Sequence, residues 1–216
     1  MFSNAAPLRR AALAIVLLSA VTGVILQSIA SVGFAQARGL SPFFGLWRML
    51  LFFTVLTNIL VAAVCLASLR DEKGESFLSS PSTQAATALY IIIVGAIHNL
   101  LLADLLTLSG LRSAADFFIH DATPILYVAT WLLFLRKGAL QWSDALWWLA
   151  YPLCYFVYVL VRGAIDNFYP YPFLDVARQG ATQVSLNGVA LLALFIGLGL
   201  AIVAIDRAIK RRFKPA

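Results

Sequence analysis

The chain alternates between long apolar runs and short polar connectors. Six runs of mainly apolar residues cover approximately residues 11–35, 46–69, 84–108, 116–135, 145–161 and 184–204. A helix needs about 20 such residues to cross the hydrocarbon core of a bilayer. Because backbone groups in lipid must be hydrogen-bonded within their own segment, the runs are predicted to be helices. The connectors are too short for a soluble domain, so the pattern predicts an all-α membrane protein, a single bundle of six transmembrane helices.

Composition and charge support this class of protein. Hydrophobic residues make up 62% of the chain and charged residues 12%, and the mean hydropathy is +0.88. The net charge of +6 alone would suggest a nucleic-acid partner. Its distribution argues against one, because eleven of the 16 Lys and Arg residues fall on one side of the predicted membrane. The positive-inside rule then places the N and C termini in the cytoplasm, with membrane lipids and no nucleic acid as partners.

The first apolar run allows a second interpretation. Arg9 and Arg10 precede it, and Ala35-Gln36-Ala37 looks like a signal-peptidase site. A secretory hydrophobic region is usually about 7–15 residues long, and this run is longer. We therefore expect a retained first helix, and cleavage would leave the remaining topology unchanged.

Polar side chains inside the apolar runs are candidate functional groups, because they are costly in a bilayer. Thr54, Thr57 and Asn58 cluster in the second run, where helical spacing puts them on one broad face. Counted from the start of that run, Thr54 lies roughly 12 Å deep at a rise of about 1.5 Å per residue. His98, in the third run, is expected at a similar depth, either as a polar partner of the site or as a donor to a neighbouring helix.

His120 lies at the mouth of the fourth run, four residues before Pro124. A proline inside a helix removes a hydrogen bond and clashes with the carbonyl four residues earlier, which here belongs to His120. We expect the helix to kink or start near this residue, with Asp121 or Thr123 as a cap. Such a break at membrane depth favours a position beside a buried cavity, with Asp116 and Asp121 near. The alternative is an interfacial histidine that is hydrogen-bonded to one of these aspartates.

A hydroxyl beside an imidazole is the minimal pair for nucleophilic catalysis, since the base takes the hydroxyl proton during attack on a carbonyl. Thr54 as nucleophile and His120 as base form such a pair if the second and fourth helices are adjacent. Asn58 or backbone amides at the proline step would stabilise the oxyanion. Thr57 and His98 are further candidates for contact with the substrate. Helical periodicity separates Thr54 from Thr57 by only roughly 60°, which leaves open which of them faces the site.

The last outer connector contains the segment NFYPYPFLD at residues 167–175. Its prolines fix the backbone, and its rings favour apolar surroundings. Tyr169, Tyr171 and Phe173 are therefore expected to form a lid over the substrate entrance or, alternatively, an aromatic anchor at the membrane interface. Arg162 and Asp166, four residues apart, are expected to pair and to support this segment.

Four segments together resemble a bacterial family of six-helix integral membrane proteins. They are FFTVLTNILV at 52–61, FIHDATPIL at 118–126, WLAYPL at 148–153, and the stretch from Arg162-Gly163 to the YPYPFLD sequence. That family is similar to the eukaryotic androgen-induced and androgen-dependent membrane proteins, which are threonine hydrolases of fatty acid esters of hydroxy fatty acids. The resemblance implies a bacterial inner-membrane location, with Thr54 as the catalytic threonine and His120 as the catalytic histidine. The spacing from His120 to Pro124 is one residue shorter than in the eukaryotic proteins, and the flanking sequences differ.

These observations together favour a membrane-embedded threonine hydrolase of an amphipathic lipid ester, which needs no cofactor and no metal. One alternative is a small-solute or lipid transporter or binding protein, in which the same polar groups line a path. This chain lacks the acidic or basic residues that a transporter would be expected to carry in the middle of helices two, four, five and six. A second alternative is a haem protein that uses His98 and His120 as axial ligands. No cysteine and histidine spacing typical of zinc sites occurs.

Overall fold

The computed structural model describes residues 5–105 and 108–212, which are helical with short turns and contain no strand. Six of the described helical segments are long and apolar enough to cross a membrane: Ala6–Gln36, Phe53–Arg70, Pro81–Leu102, Leu111–Phe134, Asp144–Asp166 and Val176–Ile209. The prediction of an all-α polytopic membrane protein is therefore confirmed. Leu106 and Thr107, at the end of the predicted third span, lie outside the described residues.

The helices are labelled in chain order. They are α1 (Ala5–Gln36), α2 (Pro42–Met49), α3 (Phe53–Arg70), α4 (Pro81–Ile97), α5 (Leu111–Phe117), α6 (Thr123–Phe134), α7 (Asp144–Trp147), α8 (Ala150–Asp166) and α9 (Val176–Arg212). The backbone of α9 is interrupted at Gly180, where φ is 77° and ψ is 157°. Two Ser-Pro steps begin α2 and α4. In each step the serine hydroxyl accepts a backbone N–H of the first turn, and the proline occupies a position that needs no N–H.

The predicted start of the second span at residue 46 is wrong. Residues 46–49 belong to α2, and α3 begins only at Phe53, because Phe52 has an extended conformation with φ −83° and ψ 123°. The N–H groups of Leu50 and Leu51 bond back to carbonyls of α2, so the chain turns before it enters α3. Thr54 therefore lies in the first turn of α3 rather than deep within a longer helix.

The described chain forms two compact units, one up to Arg136 and the other from Lys137 onwards. In the first unit, α1 packs along α2, α3, α5 and α6, and α4 packs against α3 and α6. In the second unit, α9 contacts α7 and α8. That all six spans form one bundle stays a prediction.

A hairpin of α3 and α4 places Thr54 and His98 at the same end of the first unit. At its closed end, Gln84 Nε2 donates to Ser68 Oγ over 2.9 Å, and the Gln84 carbonyl accepts from the buried Tyr127 hydroxyl over 3.0 Å. Because the two helices run in opposite directions from this point, the start of α3 and the end of α4 lie together at the open end. Thr54 and His98 therefore belong to the same end of the unit.

A glycine allows α4 to approach the fourth span closely. A Cβ on Gly95 would lie 3.1 Å from the carbonyl oxygen of His120 and 3.4 Å from Cβ of Pro124. The side chain of any other residue would press on the segment that carries His120. Gly95 thus allows α4 to pack closely against the fourth span at the level of His120.

Candidate active site

Both histidines of the chain lie in π-helical turns. His98–Leu102 follows α4, and Phe118–Ala122 joins α5 to α6. Single π turns next to α-helices are frequent at functional sites, because the extra residue redirects side chains. The predicted interruption near His120 is confirmed. The predicted cap is wrong, since α6 has no side-chain cap and the Thr123 hydroxyl lies 2.8 Å from the Ser19 hydroxyl of α1 instead.

Pro124 leaves a backbone carbonyl that Asn58 of α3 satisfies. In the π turn, the Thr123 N–H donates to the Phe118 carbonyl five residues earlier. The next donor in this register would reach the Ile119 carbonyl, but that residue is Pro124, which has no N–H. Asn58 Nδ2 donates to the Ile119 carbonyl over 3.1 Å. Helices two and four of the predicted topology are therefore adjacent at the candidate site.

The geometry of Asn58 gives it a positioning role. Its Nδ2 also donates to the Thr54 carbonyl over 2.8 Å, so both amide hydrogens are used. The expectation that this amide serves as an oxyanion donor is therefore not met. Asn58 is fully buried, and its Oδ1 is the one buried side-chain N or O atom of the described residues that lacks a hydrogen-bond partner. One amide group thus ties the first turn of α3 to the backbone beside His120.

The carboxylate of Asp116 lies between the two imidazoles. Its Oδ1 is 2.8 Å from His120 Nδ1, and its Oδ2 is 3.2 Å from His98 Nε2. An ionised carboxylate only accepts hydrogen bonds, so each ring donates an N–H to it. The lone pair of His120 is then on Nε2, and that of His98 is on Nδ1. This arrangement fixes the orientation and tautomer of His120 and leaves Nε2 as a potential base.

Asp121, the other acidic residue expected near His120, has a different partner. Its Oδ1 accepts from Asn99 Nδ2 over 2.9 Å, and the same Asn99 nitrogen donates to the Gly95 carbonyl over 3.0 Å. The alternative in which His120 is hydrogen-bonded to a neighbouring aspartate is therefore met by Asp116 and not by Asp121.

The two imidazole rings are stacked. The ring centroids of His98 and His120 are 3.6 Å apart, and the planes differ by 8°. With Asp116 the two rings form the one group of three potential metal ligands among the described residues, with donor atoms within 4.8 Å of one another. Nitrogen lone pairs lie in the plane of their ring, so parallel stacked rings direct them into separate planes rather than toward one ion. The described geometry therefore fits a hydrogen-bonded cluster better than a metal centre.

The haem alternative does not fit this geometry. Two axial histidines ligate the iron from opposite faces of the porphyrin, which then separates their rings. The rings of His98 and His120 are in face-to-face contact with no space between them for a macrocycle.

Thr54 and Thr57 are both buried in α3, at 6% and 0% exposure. Thr54 is connected to the histidine cluster through Asn58, whose amide bridges the Thr54 and Ile119 carbonyls. No hydrogen bond joins the Thr54 hydroxyl to His120 within the described part of the chain. Catalytic hydrogen bonds are often long in a ligand-free site and shorten when substrate binds. Thr54 is thus near the cluster without being paired to its base.

The aromatic segment packs within the second unit. The rings of Tyr171 and Phe173 are stacked at 5.3 Å with planes 4° apart, and the Phe173 carbonyl accepts from Asn187 Nδ2 of α9 over 2.8 Å. The ring of Tyr169 covers Gly163 of α8. The predicted pair of Arg162 and Asp166 is confirmed, with 2.8 Å between Nη2 and Oδ2. The role of this segment as a substrate lid or an interfacial anchor stays a prediction.

The shared role of Asp116 is the main feature that sequence reasoning missed. The spacing of four residues between Asp116 and His120 is a usable signal, because such residues are neighbours on a helix. The contact between Asp116 and His98 has no comparable signal, since the residues belong to different spans and meet only after α4 packs against the fourth span.

Comparison of the chain with protein-family models, with curated proteins and with solved structures gives no match. The function is therefore inferred from the residues of the site and from their geometry.

Proposed function

We propose that the protein is a membrane-embedded hydrolase of lipid esters, with Thr54 as nucleophile and His120 as general base. The observation that carries the proposal is the hydrogen bond between Asp116 and His120 Nδ1, which leaves Nε2 as the basic nitrogen of a residue whose neighbour, Ile119, is hydrogen-bonded to α3. A nucleophile, a base and a carboxylate that orients the base are the parts of a hydrolytic triad. Asp116 is the third member in this proposal.

The proposed reaction proceeds through an acyl-threonine. The Thr54 oxygen attacks the ester carbonyl and forms a carbon–oxygen bond while its proton passes to His120 Nε2. When the tetrahedral intermediate collapses, the bond to the alcohol oxygen breaks, and the His120 proton goes to this leaving group. Water then attacks the acyl-threonine with the same base, which releases the carboxylic acid and restores the Thr54 hydroxyl.

The start of α3 supports this assignment of the nucleophile. Thr54 lies in the first turn, at the positive end of the helix dipole. The N–H groups of Val55 and Leu56 in this turn already donate to the Phe52 carbonyl, over 3.1 and 3.2 Å. The dipole of the helix terminus therefore favours the negative charge that develops on a carbonyl bound at Thr54.

The surroundings of the site support an amphipathic lipid as substrate. Next to the histidines, Leu100, Leu101 and Phe117 expose 79%, 58% and 55% of their surface. In a membrane-spanning bundle these apolar side chains face acyl chains, so a lipid ester reaches the polar cluster sideways from the bilayer. We further infer an inner-membrane protein of a bacterium, with the N and C termini in the cytoplasm as the distribution of Lys and Arg indicates.

The proposal is tested by labelling purified protein with a fluorescent fluorophosphonate. Wild type should be labelled, and Thr54→Ala and His120→Ala should lose the label. Asp116→Asn should label at least about a hundredfold more slowly, because it removes the carboxylate that orients the base. Thr57→Ala is the matched control, since it deletes a buried hydroxyl one turn further along α3 and should keep the label.

Thermal unfolding of each variant shows whether it is folded. A folded Thr54→Ala variant that labels like wild type would overturn the assignment of the nucleophile. A folded wild type without any label would move the interpretation to transport or binding.

A further inference from the structure

We propose that His98 is a positioning residue that stabilises the protonated form of His120 through the face of its ring. The inference rests on the proposed function, in which His120 becomes an imidazolium during each chemical step. It assigns to His98 a role that differs from the contact with substrate expected from the sequence.

The two rings are placed for this role. Their centroids are 3.6 Å apart, and their planes are nearly parallel. A cation held over the face of an aromatic ring is attracted to its π electrons, most strongly where water is excluded. His98 is 4% exposed, so little water competes for this contact.

Asp116 limits the pair to one positive charge. Each of its two oxygens accepts an N–H from one ring. One imidazolium beside one carboxylate makes a neutral cluster, whereas two imidazoliums in face-to-face contact would repel each other strongly. The carboxylate of Asp121, which faces His120 from the same turn, is paired with Asn99. When His120 takes up the Thr54 proton, the new cation therefore lies against the face of the His98 ring.

The test compares His98→Phe with His98→Leu. Both variants remove the N–H that reaches Asp116 and fill the space with an apolar side chain, but only phenylalanine keeps an aromatic face. We expect His98→Phe to react with fluorophosphonate within a few-fold of the wild-type rate, and His98→Leu to react about tenfold more slowly than His98→Phe. Equal rates for the two folded variants would overturn the proposal, because only His98→Phe keeps a ring face beside His120.

A second measurement does not depend on hydrolysis. The chain has two histidines, so ¹⁵N-histidine labelling gives the ring-nitrogen signals of two imidazoles in wild type and of His120 alone in each His98 variant. The His120 signal should show an Nδ1–H tautomer and should take up its proton at a higher pH in His98→Phe than in His98→Leu. If His120 is half protonated at the same pH in both variants, the proposed role of His98 is rejected. If these pH values differ as expected but wild type does not react with fluorophosphonate, only the proposed hydrolase activity is rejected.

Discussion

Asn58 of α3 donates a side-chain hydrogen bond to the main-chain carbonyl of Ile119, over 3.1 Å, at the point where Pro124 supplies no N–H. A break in one transmembrane helix is thus repaired by a polar side chain of another. The repair connects the segment of the proposed nucleophile to the segment of the proposed base. Because both groups are buried, neither has water as an alternative partner.

Asn58→Leu should lower the stability of the protein. It leaves the Ile119 carbonyl buried without a donor, which costs about 1–3 kcal/mol, and it also removes the unpaired Oδ1, which offsets part of that cost. We expect a lower Tm in detergent than for wild type. Asn99→Leu is the control, because Asn99 is exposed and water can replace its hydrogen bonds to Asp121 and the Gly95 carbonyl, so its loss should lower Tm less than Asn58→Leu. An equal Tm for Asn58→Leu and wild type would show that the repair contributes nothing to stability.

Gly163→Ala should displace the aromatic segment of the second unit. A Cβ at Gly163 would overlap the ring of Tyr169, so the ring must leave its position on α8. The expected results are a lower Tm and faster proteolysis between residues 167 and 175. Gly197→Ala in α9 is the matched control, since nothing lies within 4 Å of a Cβ there. Equal behaviour of the two variants would contradict the described packing of Tyr169.

Asp71 should make the connector between α3 and α4 sensitive to acid. The Ser79 hydroxyl and the Ser76 N–H donate to its carboxylate and lower the pKa of Asp71 well below its ordinary value. Because the pKa is lower in the folded than in the unfolded state, the stabilisation is present above about pH 4 and is lost as the pH falls further. The measurement is Tm between about pH 2.5 and 7.

Asp71→Asn should flatten this acid-dependent decline of Tm. Ser79→Ala should reduce it, because it removes the largest cause of the shift. An unchanged decline in Asp71→Asn would assign the acid sensitivity to other carboxyl groups.

Reporter fusions should show whether the charge distribution sets the orientation. Alkaline phosphatase, which is active only outside the cytoplasm, should be active when fused after Gly110 and inactive when fused after Gly74. A green fluorescent protein at the C terminus should fluoresce. The reverse pattern would show that the excess of Lys and Arg does not fix the topology of this chain.

The sequence was sufficient for the class of fold and for the irregular backbone at His120. Apolar length predicts spans because the bilayer imposes it, and Pro124 predicts an interruption because it lacks a donor. The start of α3 was missed because the residues before Phe53 are as apolar as those after it. The contact of His98 with Asp116 was missed because helical spacing relates residues within one helix, whereas this contact depends on how two helices pack.

Pro124→Ala should separate the geometry of the site from the stability of the fold. Alanine restores an N–H that can reach the Ile119 or the His120 carbonyl, so the fourth span can continue as a regular helix without the π turn. Its Tm should therefore equal or exceed that of wild type. The position of the His120 ring relative to the Asp116 carboxylate should change, and a displacement of about 1 Å can lower the rate roughly a hundredfold. Fluorophosphonate labelling should fall by that order, and the ¹⁵N signal of His120 should lose its Nδ1–H tautomer.

Pro152→Ala serves as the control, because Pro152 lies in the first turn of α8, where a backbone N–H has no partner within its own helix. Labelling of Pro124→Ala at the wild-type rate would mean that the π turn serves packing alone, and that the orientation of His120 depends on Asp116 without help from the proline.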